Sequence, residues 1–223
     1  MRKYVAVVAI LLLLVGGFSA WYLSRKGSTH RYIDYRGLVL SRMAGMNCYT
    51  YSGNSTVTVN NESETTPIEA GMNGSVYFFH GKKSGMEWWA VLRNGTLREK
   101  ILKGGKTSYT EFNLTHDEIE GLLLYNPIKV GIRALGSSSS VKVFKNTILA
   151  NYTIYTTYTG ESVLLTGNIE VIFDDDYRPT EIHLVEDIQQ GDKLLKRIEL
   201  SVKVNASCDI PKWVREVWER GGG

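Results

Sequence analysis

Cysteine is scarce in this chain of 223 residues: Cys48 and Cys208 are the only two. Standing about 160 positions apart, they exclude a C-x-x-C redox or zinc motif. Histidine is scarce too. Its four copies, His30, His80, His116 and His183, are scattered, and no H-E-x-x-H is present to build a zinc-protease site. The absence of G-x-S-x-G removes the nucleophile elbow of serine hydrolases. Basic runs are missing as well. The net charge of +3 comes from 26 basic and 23 acidic side chains spread along the chain. Nucleic-acid binders gather Lys and Arg on one face, so no nucleic-acid partner is expected. No cofactor and no enzymatic activity are expected either.

Two weak motifs give way to simpler readings. Gly105-Lys106-Thr107 is like the tail of a phosphate loop, but Lys100 stands where its opening glycine belongs, and the segment sits between strands. Asp174-Asp175-Asp176 offers clustered oxygens that a calcium ion could use, without a bidentate Glu at calcium-loop spacing. Turn chemistry is the preferred reading of that triplet.

Long hydrophobic runs are lacking except for one, YVAVVAILLLLVGGFSAWYL from Tyr4 to Leu23, which carries no charge. About 20 apolar residues are what a helix needs to cross a bilayer. Arg2 and Lys3 precede it, and Trp21 and Tyr22 close it with an aromatic pair suited to the headgroup level. A cleaved signal peptide is the other reading, because Val5–Val15 has the length of a signal-peptide core and Gly17 or Ser19 could precede a cut. An uncleaved anchor is favoured: no A-x-A site is present, and the apolar run continues to Leu23. No cysteine follows closely, so lipid attachment at a processed N-terminus is not expected.

Orientation brings two signals into conflict. Arg25, Lys26, Arg31 and Arg36 follow the run, and the positive-inside rule alone would leave the body cytoplasmic. Against this, N-x-[ST] triplets occur at Asn54, Asn61, Asn73, Asn94, Asn113, Asn151 and Asn205, seven of twelve asparagines. Chance would give roughly two. Cys48 and Cys208 also bracket most of the body, and pairing them in an oxidising compartment would close a long loop. Two unrelated buried thiols are the alternative. The expected location is a single-pass cell-membrane protein with its body on the extracytoplasmic side, glycosylated at those asparagines.

Thirteen Tyr and five Trp tilt the body towards strand. Residues 24–32 read as a polar tether. Ile33–Met46 places Tyr35, Leu38, Val39, Met43 and Met46 at helical steps. From Cys48 the period is two. CYTYSGNSTVTV is a strand, Asn60–Pro67 a polar loop, and Ile68–His80, Met86–Arg93, Thr96–Lys103 and Tyr109–Asn113 are further strands. Asn94-Gly95 is a hairpin turn between two of them. Thr115 and Glu118 form a capping box for a helix over His116–Tyr125 that turns Ile119, Leu122 and Leu123 inward. Asn126-Pro127 ends or kinks it, with a helical turn or two over Ile128–Leu135 and a loop at Ser137–Ser140. Val141–Phe144, Ile148–Tyr158, Val163–Phe173, Thr180–Glu186 and Leu194–Val204 are consecutive strands with one apolar face. Lys212–Arg220 is a short amphipathic helix, with Trp213, Val214, Val217 and Trp218 on one side. Docking on the sheet is preferred for it over a membrane- or partner-facing role.

Tyr49, Tyr51, Tyr77, Phe78, Phe79, Trp88, Trp89, Tyr152 and Tyr155 offer more aromatic surface than one small helix must cover. They either fill a core or leave part of a curved sheet's concavity for a ligand. The order of elements, from an N-terminal helix through CYTYSGNSTVTV, GSVYFF, EWWAVL and NIEVIFDDDYRPTEIHLVED to Ile210-Pro211, resembles the lipoprotein-carrier superfamily. That group holds the bacterial outer-membrane-lipoprotein carrier and mycobacterial lipid-transfer lipoproteins. The resemblance implies a mainly β, α+β fold in which an antiparallel meander forms an open half-barrel of about eleven strands packed on helices. It also implies an acyl-chain cavity. Candidate lining residues are Tyr49, Tyr51, Phe78, Trp88, Trp89, Leu123, Tyr152, Ile154, Val171, Phe173, Ile198 and Leu200. The chain thus divides into a signal anchor or signal peptide (1–23), a tether (24–32), a β-rich carrier-like domain (33–211) and a C-terminal helix with a glycine tail (212–223). The expected function is binding of a lipid or lipidated protein at the membrane. The alternative is a glycosylated surface β domain with a filled core that acts through protein contacts.

Overall fold

The structure, a computed structural model, describes residues 33–123, 126–158 and 161–220. The Tyr4–Leu23 run and the tether lie outside the described residues. Among the described residues no helix is long and apolar enough to cross a membrane.

The two-residue period of the sequence becomes eleven strands in one antiparallel sheet, ordered β6-β5-β4-β3-β2-β1-β11-β10-β9-β8-β7. Two meanders are therefore joined along a single seam between β1 (Cys48–Val59) and β11 (Lys193–Asn205), with Tyr51 opposite Val204 and Val57 opposite Ile198. The edges β6 (Lys106–Asn113) and β7 (Ser138–Phe144) do not pair, so the sheet stays open.

Tight turns set the register. Asn60 and Asn61 both have positive φ, 52° and 65°, the requirement of a two-residue primed turn. The polar segment expected as a loop from Asn60 to Pro67 is thus mostly strand: β2 (Glu62–Asn73) pairs with β1 over its whole length. Pro67 fits because the β2–β3 ladder ends at Ile68, where no backbone N–H is missed. The single strand expected over Ile68–His80 is broken by a turn at Gly74, whose φ is 58°. β3 (Val76–Lys83), β4 (Met86–Arg93) and β5 (Thr96–Lys103) follow as hairpins. In the second half, β8 (Thr147–Tyr158), β9 (Glu161–Phe173) and β10 (Pro179–Gln190) lead to β11. Three of the serines expected in a loop, Ser138, Ser139 and Ser140, belong to β7. The acidic triplet makes a turn: Asp174 Oδ1 accepts hydrogen bonds from the backbone N–H groups of Asp176 and Arg178.

Four helices complete the described fold. α1 (Tyr35–Ala44) and α3 (Pro127–Ser137) pack against each other, and α3 lies over β7, β8 and β9. Gly131 makes that approach close, since a Cβ there would run into the Met43 side chain. Arg36 donates to the Gly136 carbonyl and Arg42 to that of Asp176, holding both ends of α1. α2 (His116–Leu122) has the expected capping box but stops at Leu122, capped by Leu123; Leu124 and Tyr125 lie outside the described residues. α2 ends before Asn126-Pro127, as expected, and the helical turns expected over Ile128–Leu135 are present as the longer α3, which Asn126-Pro127 starts. Asn126 Oδ1 accepts from the N–H groups of Ile128 and Lys129, and proline occupies the first turn, where its missing N–H costs nothing. α4 (Lys212–Arg220) docks on the sheet, on the face opposite α1 and α3.

Cys48 and Cys208 form a disulfide with a Cα–Cα distance of 4.8 Å, and Asn73 Nδ2 donates to the Cys208 carbonyl beside it.

Candidate functional site

Strand alternation sorts the aromatic residues onto two faces. Tyr49 and Tyr51 of β1, Tyr77 and Phe79 of β3 and Trp88 of β4 point to the face that α1 and α3 cover. So do Tyr152, Val171, Phe173, Ile182, Leu184, Leu200 and Val202 from the other half. α3 fills the concavity over β8 and β9 with Ile128, Val130, Ala134 and Leu135, all buried. Over the inner face of β2–β5 no described helix packs closely; Leu122 of the two-turn α2, expected to turn inward, is exposed and only reaches the lining of the space there.

Between these halves lies a cavity of 380 Å³. Its walls include Tyr51, Ile68, Tyr77, Phe79, Trp88 and Leu97, with Ile198 and Leu200 from across the seam. Lys83, Glu99 and Lys196 also line it. Trp88 can lie flat because its cross-strand neighbour is Gly81, where a Cβ would come within 2.7 Å of the indole ring. The polar groups of the floor satisfy each other: the Tyr51 and Tyr77 hydroxyls are 2.8 Å apart. Burial pushes both phenols up, Tyr77 to about 12 and Tyr51 well above its ordinary value, with Tyr77 as a second cause for Tyr51. At the rim Lys83 pairs with Glu64 at 2.6 Å, and burial holds the Lys196 amine below its usual range.

Beside the cavity, under α3, sits a buried charge. Glu186 is fully buried and accepts from Arg133 Nη2 and the Tyr152 hydroxyl, each at 2.7 Å. Gly167 leaves room for that reach, since a Cβ there would come within 2.7 Å of the Tyr152 oxygen. Burial, then the Glu186 charge, drive the Tyr152 phenol well up. Glu186 Oε1 and Arg133 Nε have no protein partner. Tyr49 donates to Asn126 Oδ1 at 3.0 Å, which ties the start of α3 to the sheet.

Of the residues expected to line a cavity, Tyr51, Trp88, Ile198 and Leu200 do so. Tyr49, Leu123, Tyr152, Ile154, Val171 and Phe173 lie on the same side of the sheet, in core packed around the helices. Phe78 and Trp89 do not join them. Each follows or precedes an inward residue, so the strand turns it to the opposite face, beneath α4. There Phe78 meets Trp213 edge to face at 5.7 Å, and Trp89 stacks on His80 at 5.0 Å. Tyr155 faces the same way and is exposed. Tyr77, Phe79, Ser55, Thr66, Ala90 and Leu92 line the cavity without having been placed there from sequence. Strand parity counted from Tyr51 through the hairpins would have found them. All seven triplet asparagines are exposed except Asn73, which is half-buried. Among the described residues no group of three or more His, Cys, Asp or Glu is placed to hold a metal ion.

No family model and no curated protein matches the sequence. Solved structures with a similar arrangement include MucB, which is 14% identical with a TM-score of 0.36 over 83% of this chain and 63% of that one. The chain thus spans less than two thirds of MucB. A DUF1329 family protein from Desulfovibrio piger is 4% identical, with a TM-score of 0.32, over 77% of this chain and 90% of that one. A putative outer membrane lipoprotein-sorting protein domain from Vibrio parahaemolyticus is 10% identical, with a TM-score of 0.34, over 83% of this chain and 98% of that one. An open antiparallel sheet of eleven strands with helices on its inner face is what the resemblance to the lipoprotein-carrier superfamily implied.

Proposed function

We infer that this protein is a membrane-tethered extracytoplasmic domain that takes the hydrocarbon chain of a lipid, or of a lipidated protein, into the cavity beside α3. The observation that carries this reading is the uneven filling of the concave face, plugged over β8 and β9 but open over β2–β5. The 380 Å³ cavity falls at the lower end of the about 300–1,000 Å³ of small-ligand sites. Its floor makes no polar demand, because the Tyr51 and Tyr77 hydroxyls bond to each other. Contact would supply the affinity. Burying about 200 Å² of alkyl surface is worth about 5 kcal/mol before the costs of association. The Tyr4–Leu23 run supplies the tether, while the Cys48–Cys208 disulfide and the exposed N-x-[ST] asparagines support the extracytoplasmic side.

Tyr35–Gly223 form a compact unit and can be prepared without the leader. Organic extracts of that unit, purified without detergent, are expected to contain co-purified lipid by mass spectrometry, and the protein should take up a fluorescent fatty acid. Ser55→Trp, placed in the cavity wall, should remove both signals while the circular dichroism spectrum stays unchanged. A wild-type protein that carries no lipid and takes up none would overturn the reading.

A further inference from the structure

The outer face of the second meander is uncovered by any described helix. A groove of 520 Å³ crosses it, with a floor built from polar and aliphatic side chains in two cross-strand rows. One row runs Asn54, Ser201, His183, Glu170, Leu149 across β1, β11, β10, β9 and β8. The next runs Thr56, Glu199, Val185, Asn168, Asn151 and ends on β8. No aromatic ring lines the groove. Hydroxyl, amide, imidazole and carboxylate groups and the Lys142 ammonium alternate there with the aliphatic surface of Leu149 and Val185, a mixture that suits a sugar, which offers both hydroxyls and C–H faces, better than a purely apolar ligand.

Asn54 and Asn151 both line this groove, and both begin N-x-Thr triplets. They stand four strands apart, on the order of 19 Å at the spacing of neighbouring strands, one towards each side of the floor. The other five triplet asparagines lie elsewhere: Asn61 and Asn94 in hairpin turns, and Asn73, Asn113 and Asn205 at strand ends.

The geometry points to a glycan bed: N-linked glycans on Asn54 and Asn151 lie across the outer groove, and their inner sugars bond to Ser201, His183, Glu170, Glu199 and Asn168. This rests on the extracytoplasmic placement proposed above. It assigns the uncovered sheet face to carbohydrate carried by the chain itself, and it sets the two groove triplets apart from Asn61, Asn94, Asn113 and Asn205, which are exposed at turns and strand ends, and from half-buried Asn73.

The test uses the full-length chain expressed in eukaryotic secretory cells, with site occupancy read by glycopeptide mass spectrometry. Native endoglycosidase digestion should release the Asn61 and Asn94 glycans first. Release at Asn54 and Asn151 should be slower by about tenfold or more, the factor that 1.4 kcal/mol of contact gives, and the gap should close after denaturation. Glu170→Gln combined with His183→Ala should narrow it in the folded protein. Equal native release rates would overturn the inference, as would occupancy at Asn61 and Asn94 with none at Asn54 and Asn151. Either result leaves the extracytoplasmic reading standing and the groove to a second copy of the chain or another partner. Absence of glycan from all seven sites would overturn the bed together with the placement it rests on.

Discussion

Tyr51 and Tyr77 share one hydrogen bond in a nearly water-free setting, so removing one hydroxyl differs from removing both. Tyr51→Phe leaves a buried phenol unpaired and should cost about 1–3 kcal/mol in denaturant unfolding, whereas Tyr51→Phe with Tyr77→Phe should come close to neutral. Alkali tests the same pair. Both phenols titrate higher in the fold than the usual value near 10, Tyr77 at about 12. Above pH 10 the unfolded chain therefore holds fewer protons than the folded one. This contribution to stability is fully present below pH 10 and is lost as pH rises towards about 12. The double Phe variant should show a shallower alkaline loss than wild type. Glu186 is a second point of leverage. Arg133→Ala leaves its carboxylate buried with only the Tyr152 hydroxyl and should cost about 3–5 kcal/mol, while Arg133→Met with Glu186→Leu should recover most of it. Single residues were the least legible level of the sequence. Trp88 and Trp89 read alike as cavity aromatics, yet neighbours on a strand cannot share a face, and only Trp88 reaches the cavity.

Elements were more legible, with errors where one signal has two meanings. Lys212–Arg220 was readable as an amphipathic helix and is one; which face of the sheet it covers depends on the parity of Phe78 and Val91, on the third and fourth strands from the seam. Asn-Pro both ends and starts helices, and here it starts α3, the main filler of the concave side. The polar composition of Asn60–Pro67 suggested a loop, but cross-strand pairing with the whole of β1 overrides composition. Because α4 and the cavity lie on opposite faces, they should separate experimentally. Val217→Asp should unseat α4, increasing hydrogen exchange over Lys212–Arg220, and leave fatty-acid uptake intact. Asn126→Ala removes the α3 cap and should cost about 1 kcal/mol. It should also loosen the plug, which hydrogen exchange over Pro127–Ser137 would show.

At the scale of the molecule, the class of the fold was readable from the run of alternating segments with short turns, and its openness from the resemblance. The cavity was not readable, because its existence depends on how much of the inner face α1, α2 and α3 leave uncovered. The Cys48–Cys208 bond spans 160 residues, and in the chain-entropy model a loop of that size is worth about 5 kcal/mol. Reduction should lower unfolding stability by a comparable amount, and a non-reducing peptide map should recover the linked pair.

The β1–β11 seam bears on the order of folding events. Every other ladder in the sheet joins strands adjacent in sequence, and such hairpins can form within about 1–10 μs. The seam pairs Thr50 with Asn205, so its closure entropy falls due only after both meanders exist. The disulfide lies at one end of this seam and holds its two strands together in the unfolded chain. Stopped-flow refolding should therefore be faster for oxidised than for reduced protein, with the difference in the folding limb of the chevron. The two meanders, expressed as separate fragments cut between α2 and α3, should associate through the seam, with α1 docking on α3 and α4 on β4 and β5 of the other fragment. The protein is in this sense a heterodimer written as one chain.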